Sequence, residues 1–222
     1  MRSIRRTVSI AAIFLLAACA VAQETKLVAP ITPAGQRLVH ALDKMDVEHR
    51  WLSGKSVKWR TGEALDQPVT DGKSHTHCSA FAAAAAAELG VYLLRPPKHP
   101  SAMLANAQYD WLGSEEGRKE GWTPVATGLE AQQLANRGTL VVAVYKESDP
   151  KKHGHIAIVR PSAKTDAAIQ QEGPQIIQAG MNNYTSASLK EGFKHHRGAF
   201  RDGQIRFFSH VVPDKRKAEG RR

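Results

Sequence analysis

The stretch SHTHCSAFAAAAAAELG, residues 74–90, decides the fold of this chain, because it sets a cysteine at the head of an alanine-rich run. Alanine has the highest helix propensity, and a glycine commonly follows the end of a helix. We therefore predict a helix that starts at Cys78 and ends at Gly90. Cys78, Ala85 and Leu89 fall on one side of this helix, so we expect that side to be buried.

The position of Cys78 at the start of the helix favours a chemical role for its thiol. Unpaired backbone N–H groups and the positive end of the helix dipole stabilise a thiolate at such a position. The same N–H groups can receive the oxyanion of a tetrahedral intermediate. The alternative is that Cys78 serves as a small buried apolar side chain, as free cysteines often do.

The N-terminus has the order of a secretory signal peptide. Three arginines precede an apolar run from Val8 to Leu16, and small residues follow it. One interpretation is a signal peptide over residues 1–22, cleaved after Ala22. The other is a bacterial lipobox, because LAAC ending at Cys19 resembles one, and its cysteine would carry a lipid anchor. Both predict an exported protein, periplasmic or extracellular, and in the second case a membrane-anchored lipoprotein.

Cysteine usage follows from this export signal. The chain has two cysteines, and Cys19 is either removed or lipidated, so the mature domain keeps one thiol and no internal disulfide. Exported proteins mostly use cysteines in pairs. An unpaired cysteine therefore indicates a reactive thiol or an intermolecular link.

Charge and length limit the partners and the domain organisation. The chain has 31 Lys and Arg against 21 Asp and Glu, and loss of three signal arginines leaves 28 basic residues and a net charge of +7. For an exported protein this favours the cell wall or an anionic envelope surface, and no interleaved aromatic and basic pattern predicts nucleic-acid binding. We predict a linker and N-terminal helix over 23–49, one domain over 50–212, and a disordered basic tail over 213–222. We expect a monomer.

The order of the predicted elements indicates an α+β domain, with N-terminal helices packed on an antiparallel β-sheet. Thr32 and Pro33 are typical of a helix start. Further helices are predicted over 101–112 and 129–136, with a solvated loop over 113–121. Strands are predicted over residues 56–60, 139–145, 155–160, 174–179 and 204–212.

A thiolate nucleophile needs a base, and His155 is the best placed of the ten histidines. It begins an apolar strand and shares one face of that strand with Ala157, a small residue that leaves room for a helix end. If the alanine-rich helix crosses that face, the thiol and the imidazole meet. Gln178 is a polar side chain in the next apolar strand and would orient the imidazole, with Asn182 and Asn183 as competing candidates.

HCSAFAAAAAAELGVYLLRP (77–96) resembles the nucleophile segment of papain-like cell-wall cysteine hydrolases of the NlpC and CHAP amidohydrolase type. GTLVVAVY and GHIAIV resemble the two strands that follow in those families, the second headed by the catalytic histidine. The resemblance implies a papain-like fold and a cysteine amidase or peptidase that hydrolyses an amide bond in peptidoglycan. It also implies Cys78 as nucleophile, His155 as base and a third polar residue on the strand of Gln178. The chain departs from the family pattern at His77, Ala80 and Thr139.

Three other functions compete with this one. Zinc-type ligands cluster at two places, namely His75, His77 and Cys78, and His153 and His155. A non-catalytic wall-binding domain would need only the positive charge, and a papain-like acyl hydrolase or transferase would use the same residues on another substrate. The hydrolase mechanism needs no cofactor. The pair His195 and His196 is expected to be solvated at the surface.

Overall fold

A computed structural model describes residues 29–66, 69, 75–101, 104–196 and 198–213 of the chain. The predicted signal segment with Cys19, the first part of the predicted linker and the predicted tail beyond residue 213 lie outside the described residues. Within the described ranges, none of the helices combines the length and the apolar character needed to cross a membrane.

Most helices of the described chain lie in its first half, and most strands follow them. The helices are α1 (Pro33–Asp43), α2 (Cys78–Glu88), α3 (Leu104–Gly113), α4 (Glu115–Lys119), α5 (Gly128–Asn136), α6 (Asp166–Glu172) and α7 (Leu189–Gly192). The strands are β1 (Thr123–Val125), β2 (Leu140–Tyr145), β3 (His155–Val159), β4 (Gln175–Gln178), β5 (Tyr184–Ser188) and β6 (Arg206–His210).

The strands form one six-stranded sheet in the order β1-β6-β2-β3-β4-β5. Every neighbouring pair in it is antiparallel. β2 and β3 are buried along their whole length, which fits their continuous runs of apolar residues. The prediction of helices combined with an antiparallel sheet is therefore confirmed at this level of description.

Helices cover both faces of the sheet, so the fold has three layers. On one face, α1, α2 and α3 pack over Val142, Ile156 and their neighbours. On the other face, α5 and the region of α7 pack over Ala143, Ala157 and theirs. The apolar strands thus have a protein layer on each side, which places the core on both faces of the sheet.

The first helix is built as the sequence predicts. The Thr32 hydroxyl accepts a hydrogen bond from the backbone N–H of Gly35, and Pro33 fills the first helical position. Leu38 and Leu42 point into the core. The backbone of Thr32 is also tied to the carbonyl oxygen of Asn136 at 2.9 Å, so α1 is fastened to the end of α5.

Three local predictions differ from the structure. Residues 56–60 contribute only an isolated bridge between Val57 and Ala64. The predicted loop over 113–121 contains α4, which is capped by the hydroxyl of Ser114. The helix α2 is buried on all sides from Cys78 to Ala86 rather than along one stripe, because its alanines let neighbouring elements approach closely all around.

Candidate active site

Cys78 is the first residue of α2. The residue before it, His77, occupies the N-cap position without a side-chain cap bond, and its Nε2 instead donates to the carbonyl oxygen of Lys55 at 2.7 Å. The first N–H groups of α2 therefore receive no cap acceptor from His77. Such a helix end is suited to bind an oxyanion.

The Cys78 thiol is enclosed by protein. The residue is only 4% exposed, and burial raises the pKa of its thiol above the ordinary value. Backbone N–H groups of Ile156, Ser79 and Cys78 itself lower the pKa, but burial has the larger effect. The raised pKa favours the neutral thiol, contrary to the expectation that the helix end alone would hold a thiolate.

His155 is the first residue of β3, opposite Tyr145 of β2. Its ring is buried, and its Nε2 lies 2.8 Å from Oε1 of Gln178. The Gln178 amide nitrogen donates to the carbonyl oxygens of Asn182 at 3.2 Å and Gly192 at 3.4 Å, which fixes the amide orientation. The Gln178 oxygen must then accept a hydrogen from His155 Nε2, which leaves the lone pair on Nδ1.

The surroundings of His155 also keep its imidazole neutral. Burial is the main cause that lowers its pKa to about 3, and the neighbouring rings of His196 and His195 act in the same direction. The hydrogen bond with Gln178 opposes this shift without cancelling it. A neutral imidazole is the form that can accept a proton.

Cys78 lies against the start of β3, the strand that His155 begins, rather than on the face of β3 that carries Ala157. Ile156 packs on the side of α2, whereas Ala157 packs on the side of α5 and α7. His155 lies on the same face of β3 as Ala157, because side chains alternate along a strand. The expectation that α2 crosses this face is therefore wrong. The thiol instead interacts with the backbone N–H of Ile156, the residue directly after His155. The thiol of the candidate nucleophile thus contacts the backbone of the residue that follows the candidate base.

The competing amides have other partners. Asn183 donates through Nδ2 to the carbonyl oxygens of Val47 at 2.6 Å and Arg50 at 2.8 Å, which ties the segment after α1 to this region. The side chain of Asn182 lies 3.3 Å from Nε2 of His195. Of the three polar residues that the sequence offers, Gln178 is the one whose side chain meets the ring of His155.

His196 and Phe193 pack against His155, which the sequence reading missed. The His196 ring stacks on the His155 ring with 5.2 Å between centroids and 20° between planes, and Phe193 meets His155 edge-on at 4.7 Å. Burial lowers the pKa of His196. The expected solvated surface pair is therefore wrong for His196, although His195 is exposed. Phe193, an apolar residue three positions before His196, could have indicated that this segment packs against the domain.

The turn that leads into His155 is held by Asn106 of α3. The Asn106 Oδ1 accepts from the backbone N–H of Gly154 at 2.9 Å and of Glu147 at 3.3 Å, and its Nδ2 donates to the carbonyl oxygen of Lys152 at 3.0 Å. A Cβ at Gly154 would lie 2.2 Å from the carbonyl oxygen of Tyr145, so only glycine fits there. Neither role was predicted from the sequence.

A cavity of about 230 Å³ opens beside this group. The residues around it include both members of the His155–Gln178 pair. Thr76 also lines it, which brings the segment just before Cys78 to the same opening. The remaining lining is rich in polar side chains, with His153, Asn182, Tyr184, Glu191, His195 and His196 among them.

The clustered histidines do not converge as a metal site. In the part of the chain that the structure describes, no three His, Cys, Asp or Glu side chains come together to hold a metal ion. His77 is bound to the carbonyl oxygen of Lys55, and His155 to the amide of Gln178. The geometry therefore does not favour the zinc site suggested by His75, His77, Cys78, His153 and His155.

Comparison with known proteins gives one informative similarity. The chain is 39% identical over 83 residues to the peptidoglycan amidase Tse1 of Pseudomonas aeruginosa. The matched segment covers 37% of this chain and 44% of that protein, so the likeness spans less than half of the relative. No family model matches the chain.

Proposed function

We propose that this protein is an exported cysteine amidase that hydrolyses an amide bond in peptidoglycan. The observation that carries the proposal is the buried His155–Gln178 hydrogen bond of 2.8 Å. The Cys78 thiol contacts the backbone N–H of Ile156, the residue directly after His155. The similarity to a peptidoglycan amidase supports the substrate class. Cys78 is the nucleophile, His155 the base and Gln178 the residue that orients the imidazole.

The reaction starts from two neutral groups, because burial disfavours both the thiolate and the imidazolium. Nδ1 of His155 accepts the thiol proton as the sulfur attacks the amide carbonyl carbon. The same proton passes to the leaving amine as the C–N bond breaks and a thioester forms. Water then attacks the thioester with His155 again as base, which releases the carboxylic acid and restores the thiol. No step uses a cofactor.

For the thiol to reach Nδ1, its side chain turns from the N–H of Ile156 toward the imidazole. Catalytic hydrogen bonds are often long or misaligned before substrate binds, and tighten in the complex. The N–H of Cys78 at the start of α2 then stabilises the oxyanion. Gln178 holds His155 in the Nε2–H tautomer through each step.

We further propose that the fold is papain-like and related to the NlpC and CHAP hydrolases. In support, a cysteine opens a buried helix, and antiparallel strands follow it in the chain. A histidine begins one of these strands, and its neighbour in the sheet carries the orienting amide. We place the protein outside the cytoplasm as a monomer, because its N-terminus has a signal-peptide pattern and its positive charge suits an anionic envelope.

The test is digestion of purified peptidoglycan fragments, followed by mass spectrometry of the products. Wild-type protein should give two products whose masses add up to the substrate plus one water. His155→Ala should lower the turnover rate by roughly 10² to 10⁴, the usual contribution of a general base. Cys78→Ala should abolish turnover, and Gln178→Ala should cost less than His155→Ala because Gln178 exchanges no proton.

His153→Ala is the matched control for His155→Ala. His153 is exposed at the edge of the same cavity and lies two residues earlier, so its replacement should lower the turnover rate far less than His155→Ala does. Uncut fragments with folded wild-type protein would refute the proposed substrate. Equal losses in the two histidine variants would refute the assignment of the base.

A further inference from the structure

A second cavity lies at the other end of α2, between α1 and the segment over residues 50–61. Its volume is about 430 Å³. Its charged lining is Arg37, Lys44, Arg50 and Arg60, with His40 and a single carboxylate, Glu88. Four permanent positive charges against one negative charge give this basic pocket a surplus that no part of the proposed amidase chemistry uses.

Other acidic residues of this region are engaged away from the pocket. Asp43 of α1 forms a two-point ion pair with Arg160, in which Nη2 lies 3.0 Å from Oδ2. Asp46 binds the ring of His49 at 2.6 Å. The charge of Asp43 is therefore matched by a cation outside the lining of the basic pocket, and Asp46 is bound to a histidine ring. The surplus of positive charge among the lining residues is unchanged.

The floor of the basic pocket is apolar and well ordered by packing. Trp51 is buried there and meets Phe81 of α2 edge-on, with 5.3 Å between ring centroids. Ala41 and Ala84 leave the space that larger side chains would fill. Cations on the rim over a low-polarity floor attract an anion more strongly than cations spread over a flat surface.

The basic pocket is distinct from the candidate active site. Ala84 lies six residues after Cys78 on α2, and Glu88 ten residues after it. At 1.5 Å per residue these positions are roughly 9 and 15 Å along the helix axis from the nucleophile. None of the pocket residues belongs to the cavity beside His155.

We propose that the basic pocket binds a phosphoryl group. Guanidinium groups form paired hydrogen bonds with phosphate oxygens, and a surplus of three positive charges suits a phosphoryl dianion better than a single carboxylate. Two sources offer this chemistry to an envelope protein, a phospholipid headgroup and a soluble phosphate chain. Both would use the same arginines, and the experiment separates them.

The experiment measures binding of the full chain to two probes, inorganic tripolyphosphate and vesicles of phosphatidylglycerol, with phosphatidylcholine vesicles as the uncharged comparison. The test variant is Arg37→Gln with Arg60→Gln, and the matched control is Arg118→Gln with Arg137→Gln. All four arginines are exposed, and both double variants remove two positive charges. Thermal unfolding verifies that each variant is folded, and turnover of small soluble peptidoglycan fragments should stay unchanged in both.

The test variant should lose affinity by about tenfold or more, because each replaced arginine removes charge-assisted hydrogen bonds to the phosphoryl oxygens. The control should change affinity by about twofold or less. Selective loss for the vesicles identifies a lipid headgroup, and selective loss for tripolyphosphate identifies a soluble phosphate. Equal losses in the two double variants would show attraction by net charge alone, and no binding of either probe to the wild type would refute the pocket. The binding outcomes do not depend on the proposed amidase activity.

Discussion

Burial controls the reactivity of Cys78 at the residue scale. Since burial raises the pKa of its thiol, we expect iodoacetamide to modify the folded protein at about pH 7 more slowly than a free cysteine, whose pKa is near 8.5. Mass spectrometry of the alkylated chain over time measures the rate. Protein unfolded in urea is the control for a fully accessible thiol. Fast modification of the folded chain below about pH 7 would show a thiolate and contradict this expectation.

His196 acts on His155, the proposed base, through the stacked contact between their rings. Protonated His196 disfavours a positive charge on His155, and the proposed mechanism requires that charge transiently. His195 acts in the same direction on His155, whereas Glu147 favours protonation of His196. We therefore expect activity to fall as the pH drops and His196 takes up a proton.

Replacing His196 by phenylalanine keeps a ring against His155 and removes the titrating charge. We expect His196→Phe to shift the acid limb of the kcat/KM profile to lower pH, with a smaller change at neutral pH. His195→Phe is the comparison, because His195 is exposed and more weakly coupled to His155. An unchanged acid limb in His196→Phe would exclude His196 as the group that titrates.

At the scale of an element, the end of α7 at Gly192 packs against β4, the strand that carries Gln178. Gly192 therefore leaves room for the side chain of Gln178. A Cβ at Gly192 would lie 2.6 Å from Oε1 of Gln178 and 2.9 Å from Cδ1 of Ile176. Gln178 is held by hydrogen bonds and cannot move aside freely. We expect Gly192→Ala to lower kcat by about tenfold or more, because a misplaced orienting group costs at least that much.

Gly113→Ala is the matched control for Gly192→Ala. Gly113 is also the last residue of its helix, but a Cβ there meets only the flexible guanidinium of Arg206 at 3.2 Å. Its activity and thermal stability should stay close to the wild type. Equal activity in the two alanine variants would show that Gln178 tolerates displacement.

The apolar strands and the alanine-rich helix were predictable because each has a strong pattern of its own. β5, with the sequence YTSAS, was missed because it has few apolar residues and lies at the edge of the sheet. The face of β3 that α2 covers could not be predicted either. β3 is buried on both faces, so its side chains show no polar side to distinguish them.

The contact between His155 and Gln178 was predictable because these two polar residues stand out against apolar surroundings. His155 and Gln178 were recognised because each begins or ends an apolar strand. His196 was missed because it lies among other polar residues, and Asn106 because the helix pattern around it does not reveal its partner. Only tertiary packing brings Asn106 to the turn at Gly154 and His196 to the ring of His155. The thiol pKa was misjudged because the sequence shows the helix end but not the layer that encloses it.

The stability of the whole molecule should depend on pH through its buried imidazoles. In the folded protein the pKa of His155 is lowered to about 3, whereas in the unfolded chain it is near 6.5. Between these values the unfolded chain binds a proton that the folded protein does not, so stability falls as the pH drops from about 6.5 toward 3. His77 and His196 shift in the same direction and add to the loss.

Thermal unfolding over that pH range measures this effect. We expect Tm to decrease steadily below about pH 6.5, and the decrease to be shallower in His155→Gln, which cannot take up the proton. His153→Gln is the control, because His153 is exposed, and it should follow the wild-type curve. Parallel curves for the wild type and His155→Gln would contradict the lowered pKa.

The attachment of the chain at Ala29 limits the distance between the domain and a lipid on Cys19. Asn136 donates through Nδ2 to the carbonyl oxygen of Ala29 at 2.7 Å, so the polypeptide joins the domain at a fixed point beside α5. Cys19 precedes that point by ten residues, which span at most about 35 Å even when fully extended. If Cys19 carries lipid, the proposed amidase would reach only the layer of wall nearest the membrane. If the chain is cleaved after Ala22, the proposed amidase would diffuse through the whole thickness of the wall.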